Sequence, residues 1–182
     1  MSTRLVALLI LGVSLAGCQS NTEMGNNPVP YFDIADALKI EQTWLIENQV
    51  TLIKHTWWNS HTSADTISTP NWDQELFFLK RLKISPASWQ TDYTGQVLSD
   101  NAFRVTPRDT TSKIQEIKFT TNAHNDLVSL YAVVQSENSV TGTYDTISYN
   151  CKQHFSFYGK RETLVIGEEN YSIKGTFAVA NN

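Results

Sequence analysis

Residues 143–157 read TYDTISYNCKQHFSF, and the apolar side chains Ile147, Tyr149, Cys151, Phe155 and Phe157 all fall at odd positions. A period of two is that of a strand with one buried face, because successive side chains point to opposite sides. The segment is therefore predicted to be one strand with its odd face in a core. Neighbouring runs at 103–106, 113–120, 127–135, 163–166 and 171–179 carry β-branched and aromatic residues and extend the pattern. Between them, 122–126 (NAHND), 137–139 and 167–170 (GEEN) carry turn chemistry.

The first half reads differently. Asp33 is a plausible N-cap, and Ile34, Ala37, Leu38, Trp44 and Leu45 recur at helical spacing up to Asn48. Residues 50–58 (VTLIKHTWW) then predict a strand, with a second short one around 66–68. Pro70 suits the first turn of another helix, whose apolar face is Trp72, Leu76, Leu79 and Leu82. Ser85-Pro86 stops it, and Trp89 caps the same cluster. Helices followed by a run of strands argue for α+β: two N-terminal helices packed on a twisted antiparallel sheet of about five to seven strands. One domain, 31–180, accommodates all of it.

The chain has 182 residues, of which 41% are hydrophobic, 18% charged and 11% aromatic. That suits a globular domain large enough to fold without disulfide or metal. Its net charge is −4. Loss of Arg4 with a leader makes this −5, a poor balance for binding nucleic acid or anionic lipid. No nucleic-acid partner and no cofactor are expected.

Residues 1–17 read as a signal peptide. Arg4 supplies the positive start, 5–15 (LVALLILGVSL) the apolar stretch, and Ala16 and Gly17 the small residues. The stretch is about half of the roughly 20 residues that a spanning helix needs. Leu15-Ala16-Gly17-Cys18 resembles the lipobox of bacterial lipoproteins. The resemblance implies cleavage before Cys18 and acylation of that cysteine, which anchors the chain to the lipid bilayer; two or more acyl chains hold stably where one is marginal. With Cys18 acylated, Cys151 has no disulfide partner. Gln19, where an inner-membrane retention signal often places Asp, points to the outer membrane. The domain then faces the periplasm, with the cell surface as the alternative. Residues 18–30, polar and with Gly25 and two prolines, read as a flexible tether.

A further likeness spans most of the mature domain. Tyr31-Phe32-Asp33-Ile34, Ser85-Pro86-Ala87-Ser88-Trp89, Lys113-Ile114-Gln115-Glu116-Ile117 and the closing phrase at 166–175 (IGEENYSIKG) resemble small outer-membrane lipoproteins of Bacteroidota. The likeness implies lineage and an outer-membrane setting, and no activity.

Candidate chemistry is thin. His55, His61, His124 and His154 form no zinc-binding motif, and there is no Cys-x-x-Cys, nucleophile elbow or phosphate loop. Cys151 and His154, three residues apart on a strand, would project to opposite faces, so a packed core thiol is the simpler reading. Catalytic and metal sites are therefore not expected. Adjacent Trp57 and Trp58 must face opposite sides of a sheet; one can be core while the other needs a separate cover, and if no helix or loop supplies it the exposed indole is an anchor for a partner or apolar ligand. Thr66, Thr110 and Thr146 follow aspartates in a pattern that resembles Bacteroidota O-glycosylation sites. The expectation is a non-enzymatic binding or accessory module of an outer-membrane assembly, docking a protein partner by a sheet edge and an exposed tryptophan. Its alternative is a periplasmic carrier of a lipid or other apolar ligand, which needs a cavity lined by residues such as Trp44, Trp72, Phe77 and Phe155.

Overall fold

The computed structural model describes residues 27–165 and 167–179. Within them, 143–157 folds not as one strand but as most of a hairpin: β7 (Thr141–Asn150) and β8 (His154–Thr163) pair antiparallel around Cys151-Lys152-Gln153. Lys152 takes the left-handed conformation that closes the turn, at φ 60°. Its three residues are an odd number, so the odd-position pattern survives the reversal. Tyr149 pairs with Phe155 and Ile147 with Phe157, and all four are buried on one face.

The remaining strands are β1 (Thr51–Trp58), β2 (His61–Ile67), β3 (Tyr93–Ser99), β4 (Ala102–Pro107), β5 (Ile114–Thr121), β6 (Leu127–Glu137) and β9 (Gly167–Ala178). They form one nine-stranded antiparallel sheet in the order β2-β1-β9-β8-β7-β6-β5-β4-β3. From β3 to β9 the chain is a plain meander; the N-terminal hairpin then adds beside β9. The expected α+β arrangement of two helices on five to seven strands is thus overturned. The sheet dominates, and four short helical segments cover part of one face.

Local chemistry explains the difference. α1 (Ile34–Glu47) starts where expected, with the Asp33 carboxylate accepting from the backbone N–H of Ala35 and Asp36. The expected second helix is broken into α2 (Trp72–Glu75) and a 3-10 segment, Phe77–Leu82. Leu76, at φ −104° and ψ 17°, departs from helical geometry between them. Ser85 precedes proline and is held extended at ψ 154°. It then caps a new helix, α3 (Pro86–Thr91), its Oγ accepting from Ser88 N at 3.1 Å. Ser85-Pro86 is a start as well as a stop. β3 shows no alternation and is largely exposed, and 167–170 belongs to β9 rather than to a turn.

The core lies between the inner face of the sheet and the helices. Phe78 of the 3-10 segment sits against Phe155 and Phe157 at 5.2 and 5.4 Å between ring centres, while Trp72 meets Phe177 edge-on. Trp89, fully buried, donates its indole N–H to the carbonyl of Val29 at 3.0 Å. Val29 is also fully buried, and Asn27 bonds Trp89 O through Nδ2. Residues 27–30, expected in the tether, therefore pack against the domain; the rest of the tether, the leader and Cys18 lie outside the described residues.

Candidate functional site

Asp145 is a carboxylate on the core-facing side of β7 with 1% of its surface exposed. Burying such a charge is costly unless it is paired and hydrogen-bonded. Both oxygens are used. Arg81, from the 3-10 segment, donates Nη1 to Oδ2 at 2.6 Å, and the Tyr171 phenol of β9 donates to Oδ1 at 2.8 Å. Tyr171 reaches Asp145 across the intervening strand because position 159 is glycine. A Cβ there would lie 2.2 Å from the tyrosine ring. Burial, and then the bond to Asp145, push the Tyr171 phenol up to about 12, so it stays a proton donor across the physiological range.

Above this triad opens a cleft of about 410 Å³, bounded by Thr56 and Trp58 of β1, Phe77 and Arg81 of the 3-10 segment, Phe157 and Arg161 of β8, and Tyr171 of β9. Trp58 stacks on Tyr171, with ring centres 5.3 Å apart and planes 16° from parallel, while Phe157 meets the same tyrosine at 5.7 Å. Arg161 makes no hydrogen bond or ion pair among the described residues; Glu169 is its cross-strand neighbour without an ion pair. Arg81 has one nitrogen on Asp145 and further donors free for a ligand. The cleft thus combines aromatic walls with two guanidinium groups, one of them fixed from below.

The two tryptophans expected to bind a partner both border this cleft. Neither is in the core: Trp57 is 36% and Trp58 45% exposed. Both stand at the end of β1, and Trp58 shares the face of Tyr171. Arg81, Asp145 and Tyr171 were missed by sequence reasoning. The available signal was Asp145 itself, an acid at a core-facing position of an otherwise apolar face, which demands a partner.

Other candidates disperse. His55, His61, His124 and His154 are exposed, His154 sharing a 2.8 Å hydrogen bond with Asn150. Among the described residues no three His, Cys, Asp or Glu are grouped to hold a metal. Cys151 is half-buried at the β7–β8 turn, and burial, followed by the charge of Glu41, pushes its thiol up to about 12. A thiol held protonated is a poor nucleophile. Glu41 of α1, also buried, accepts from the Tyr149 hydroxyl at 3.1 Å and from Lys152 N at 2.5 Å, tying the helix to the turn. Thr66 and Thr110 are exposed, whereas Thr146 is half-buried in the middle of β7 with a strand on each side. Trp44, Trp72, Phe77 and Phe155 line no common cavity: Trp72 and Phe155 are buried in the packed core, Phe77 borders the cleft, and Trp44 lies under Lys152. No described helix is long and apolar enough to cross a membrane.

No protein-family model matches the chain, and no curated protein matches it. Among solved structures, the S-type phycobiliprotein lyase CPES from Guillardia theta aligns with 84% of this chain and 99% of its own. The identity is 9% and the TM-score 0.28, a likeness that carries no argument about fold or function.

Proposed function

We propose that the chain is a non-enzymatic binding module, anchored through acylated Cys18 at the outer membrane, and that the Trp58 cleft is its docking site. The single observation that carries the docking site is the triad beneath it. Buried Asp145 holds Arg81 and Tyr171 in place, so a guanidinium and a stacked indole are presented without ordering cost on binding. Aromatic and arginine side chains around a pocket are the residues that dominate partner affinity. Beside them, β2 is an edge strand with a free hydrogen-bonding side, exposed along nearly all its length and without lysine or proline to block strand addition. The membrane setting rests on the lipobox and on the likeness to Bacteroidota lipoproteins.

The test is extraction of the full chain from its native membrane in mild detergent, with affinity capture and mass spectrometry of what accompanies it. A stoichiometric protein recovered with the wild type, and lost with Trp58→Ala, supports docking at the cleft. A second reading, a carrier of an apolar ligand, has one observation in its favour: a groove of about 310 Å³ between α1 and the 3-10 segment, floored by Ile34, Leu38, Leu76 and Leu79. Lipid retained in the same preparation by native mass spectrometry, with no protein partner, would favour it.

A further inference from the structure

The two arginines that border the Trp58 cleft differ in what holds them. Arg81 has one nitrogen on Asp145 at 2.6 Å, so its charge is matched from below while its other donors stay open. Arg161 lies on the same face of β8 as Phe157 and Gly159, and no acceptor meets it among the described residues. Glu169 is its cross-strand neighbour, yet makes no ion pair with it and does not border the cleft. On the same face of β1, Lys54 is closed on Glu75 at 2.7 Å. Both guanidinium groups stand near the Tyr171 hydroxyl: burial and the bond to Asp145 raise its pKa, and the charges of Arg161 and Arg81 pull against them. The walls between them are aromatic, with Phe77 52% and Trp58 45% exposed and Phe157 buried behind.

Whatever fills this cleft covers Arg161 and the open donors of Arg81. A purely apolar group would strip water from them and return no acceptor, which opposes binding. The entering group must therefore carry an acceptor, and charge says which. Asp145 offsets Arg81, and Arg161 leaves one positive charge unmatched on the lining. A single carboxylate balances that charge, and its plane matches a guanidinium through two parallel hydrogen bonds. A phosphate dianion would overshoot by one charge, with Glu169 next to Arg161 to repel it. We infer that the cleft takes a glutamate or aspartate side chain of a protein partner with an aromatic residue beside it. The carboxylate reaches Arg161 and Arg81, and the ring lies among Trp58, Phe77 and Phe157. This rests on the cleft being the docking site proposed above; Arg161 is then the residue that selects an acidic segment over a neutral one.

The test is calorimetric titration of the detergent-purified full chain with two blocked tetrapeptides, acetyl-Gly-Glu-Phe-Gly-amide and the same peptide with Gln in place of Glu. The glutamate peptide should bind about tenfold more tightly, the gain of a charge-assisted hydrogen bond partly open to water. Arg161→Gln changes an exposed side chain, so far-UV circular dichroism should stay the same while most of the preference disappears. Equal affinities for the wild type, or a preference undiminished in Arg161→Gln, overturn the proposal. So does a glutamate peptide that fails to bind at millimolar concentration. Tighter binding of the matching phosphoserine peptide, or of free phenylacetate, overturns it too and assigns the cleft to a dianion or to a small aromatic acid. The docking reading is judged apart from this. If both peptides bind equally and Trp58→Ala abolishes both, the cleft remains a docking site and only its choice of a carboxylate fails.

Discussion

Tyr171 on β9 donates its phenolic proton to Asp145 on β7 at 2.8 Å, passing over the backbone of Gly159 on the strand between them. The bond sets the floor of the cleft, since the same ring carries Trp58 on its stacked face. It also gives the glycine a steric reason to be there, because any Cβ at 159 would lie inside the tyrosine ring's envelope.

Gly159→Ala should therefore displace Tyr171 and cost about 1–3 kcal/mol, the usual range for overpacking a filled site. Urea denaturation followed by far-UV circular dichroism measures it. An unchanged midpoint would mean that the ring sits elsewhere in solution.

Arg81 and Asp145 should couple. Removing Arg81 strands a carboxylate with 1% exposure, while removing Asp145 frees an arginine whose side chain is 37% exposed. Arg81→Ala is expected to destabilise more than Asp145→Asn, and the double variant to cost less than the sum by about 0.5–3 kcal/mol. A double-mutant cycle in denaturant gives the number; strict additivity would deny the ion pair.

Stability should fall in alkali. An ordinary tyrosine titrates at 10.0, whereas burial lifts Tyr171 to about 12 and Tyr149 further. The folded state thus keeps protons that the unfolded state releases, and the stability these phenols contribute is complete below pH 10 and lost as pH rises through the folded values. Absorbance at 295 nm should show two tyrosines ionising only together with unfolding, and Tyr149→Phe should leave one.

Glycan on the candidate threonines should follow exposure. Thr66 on the edge strand and Thr110 in a loop are open to a transferase, while Thr146 lies between two paired strands. Intact mass of the processed chain, with Thr66→Ala and Thr110→Ala, reads this out; a mass accounted for by acylation alone removes the glycosylation hypothesis.

Individual elements were legible where one face is buried, although the arrangement of two helices on a smaller sheet was not what they built. The helical period of α1 with its Asp33 cap, and the odd-position apolar run across 143–157, both report burial, and both were read in phase. What failed was the reversal inside that run. Cys151-Lys152-Gln153 contains no glycine or proline, and a lysine supplies the left-handed residue, so the local chemistry conceals the turn. β3 was missed because an edge strand exposed on both faces has no alternation to read, and the GEEN phrase of β9 looks like a turn because that arm extends into solvent. The triad was out of reach for another reason. Arg81 and Asp145 are 64 residues apart, and only the topology brings the 3-10 segment over β7. The adjacent pair Trp57 and Trp58 was legible as a place where an indole is left exposed; the arginine beside it was not.

The most direct test of the central claim is partner capture by the full chain with Trp58→Ala beside the wild type. Trp58 is 45% exposed, so its removal should change folding stability by only about 1 kcal/mol, near the contribution of one aromatic pair. If the cleft is the docking site, the same change should weaken partner binding by about 2 kcal/mol or more, roughly thirtyfold, as for a central anchor residue. Undiminished capture of the partner by a folded Trp58→Ala chain would contradict the account.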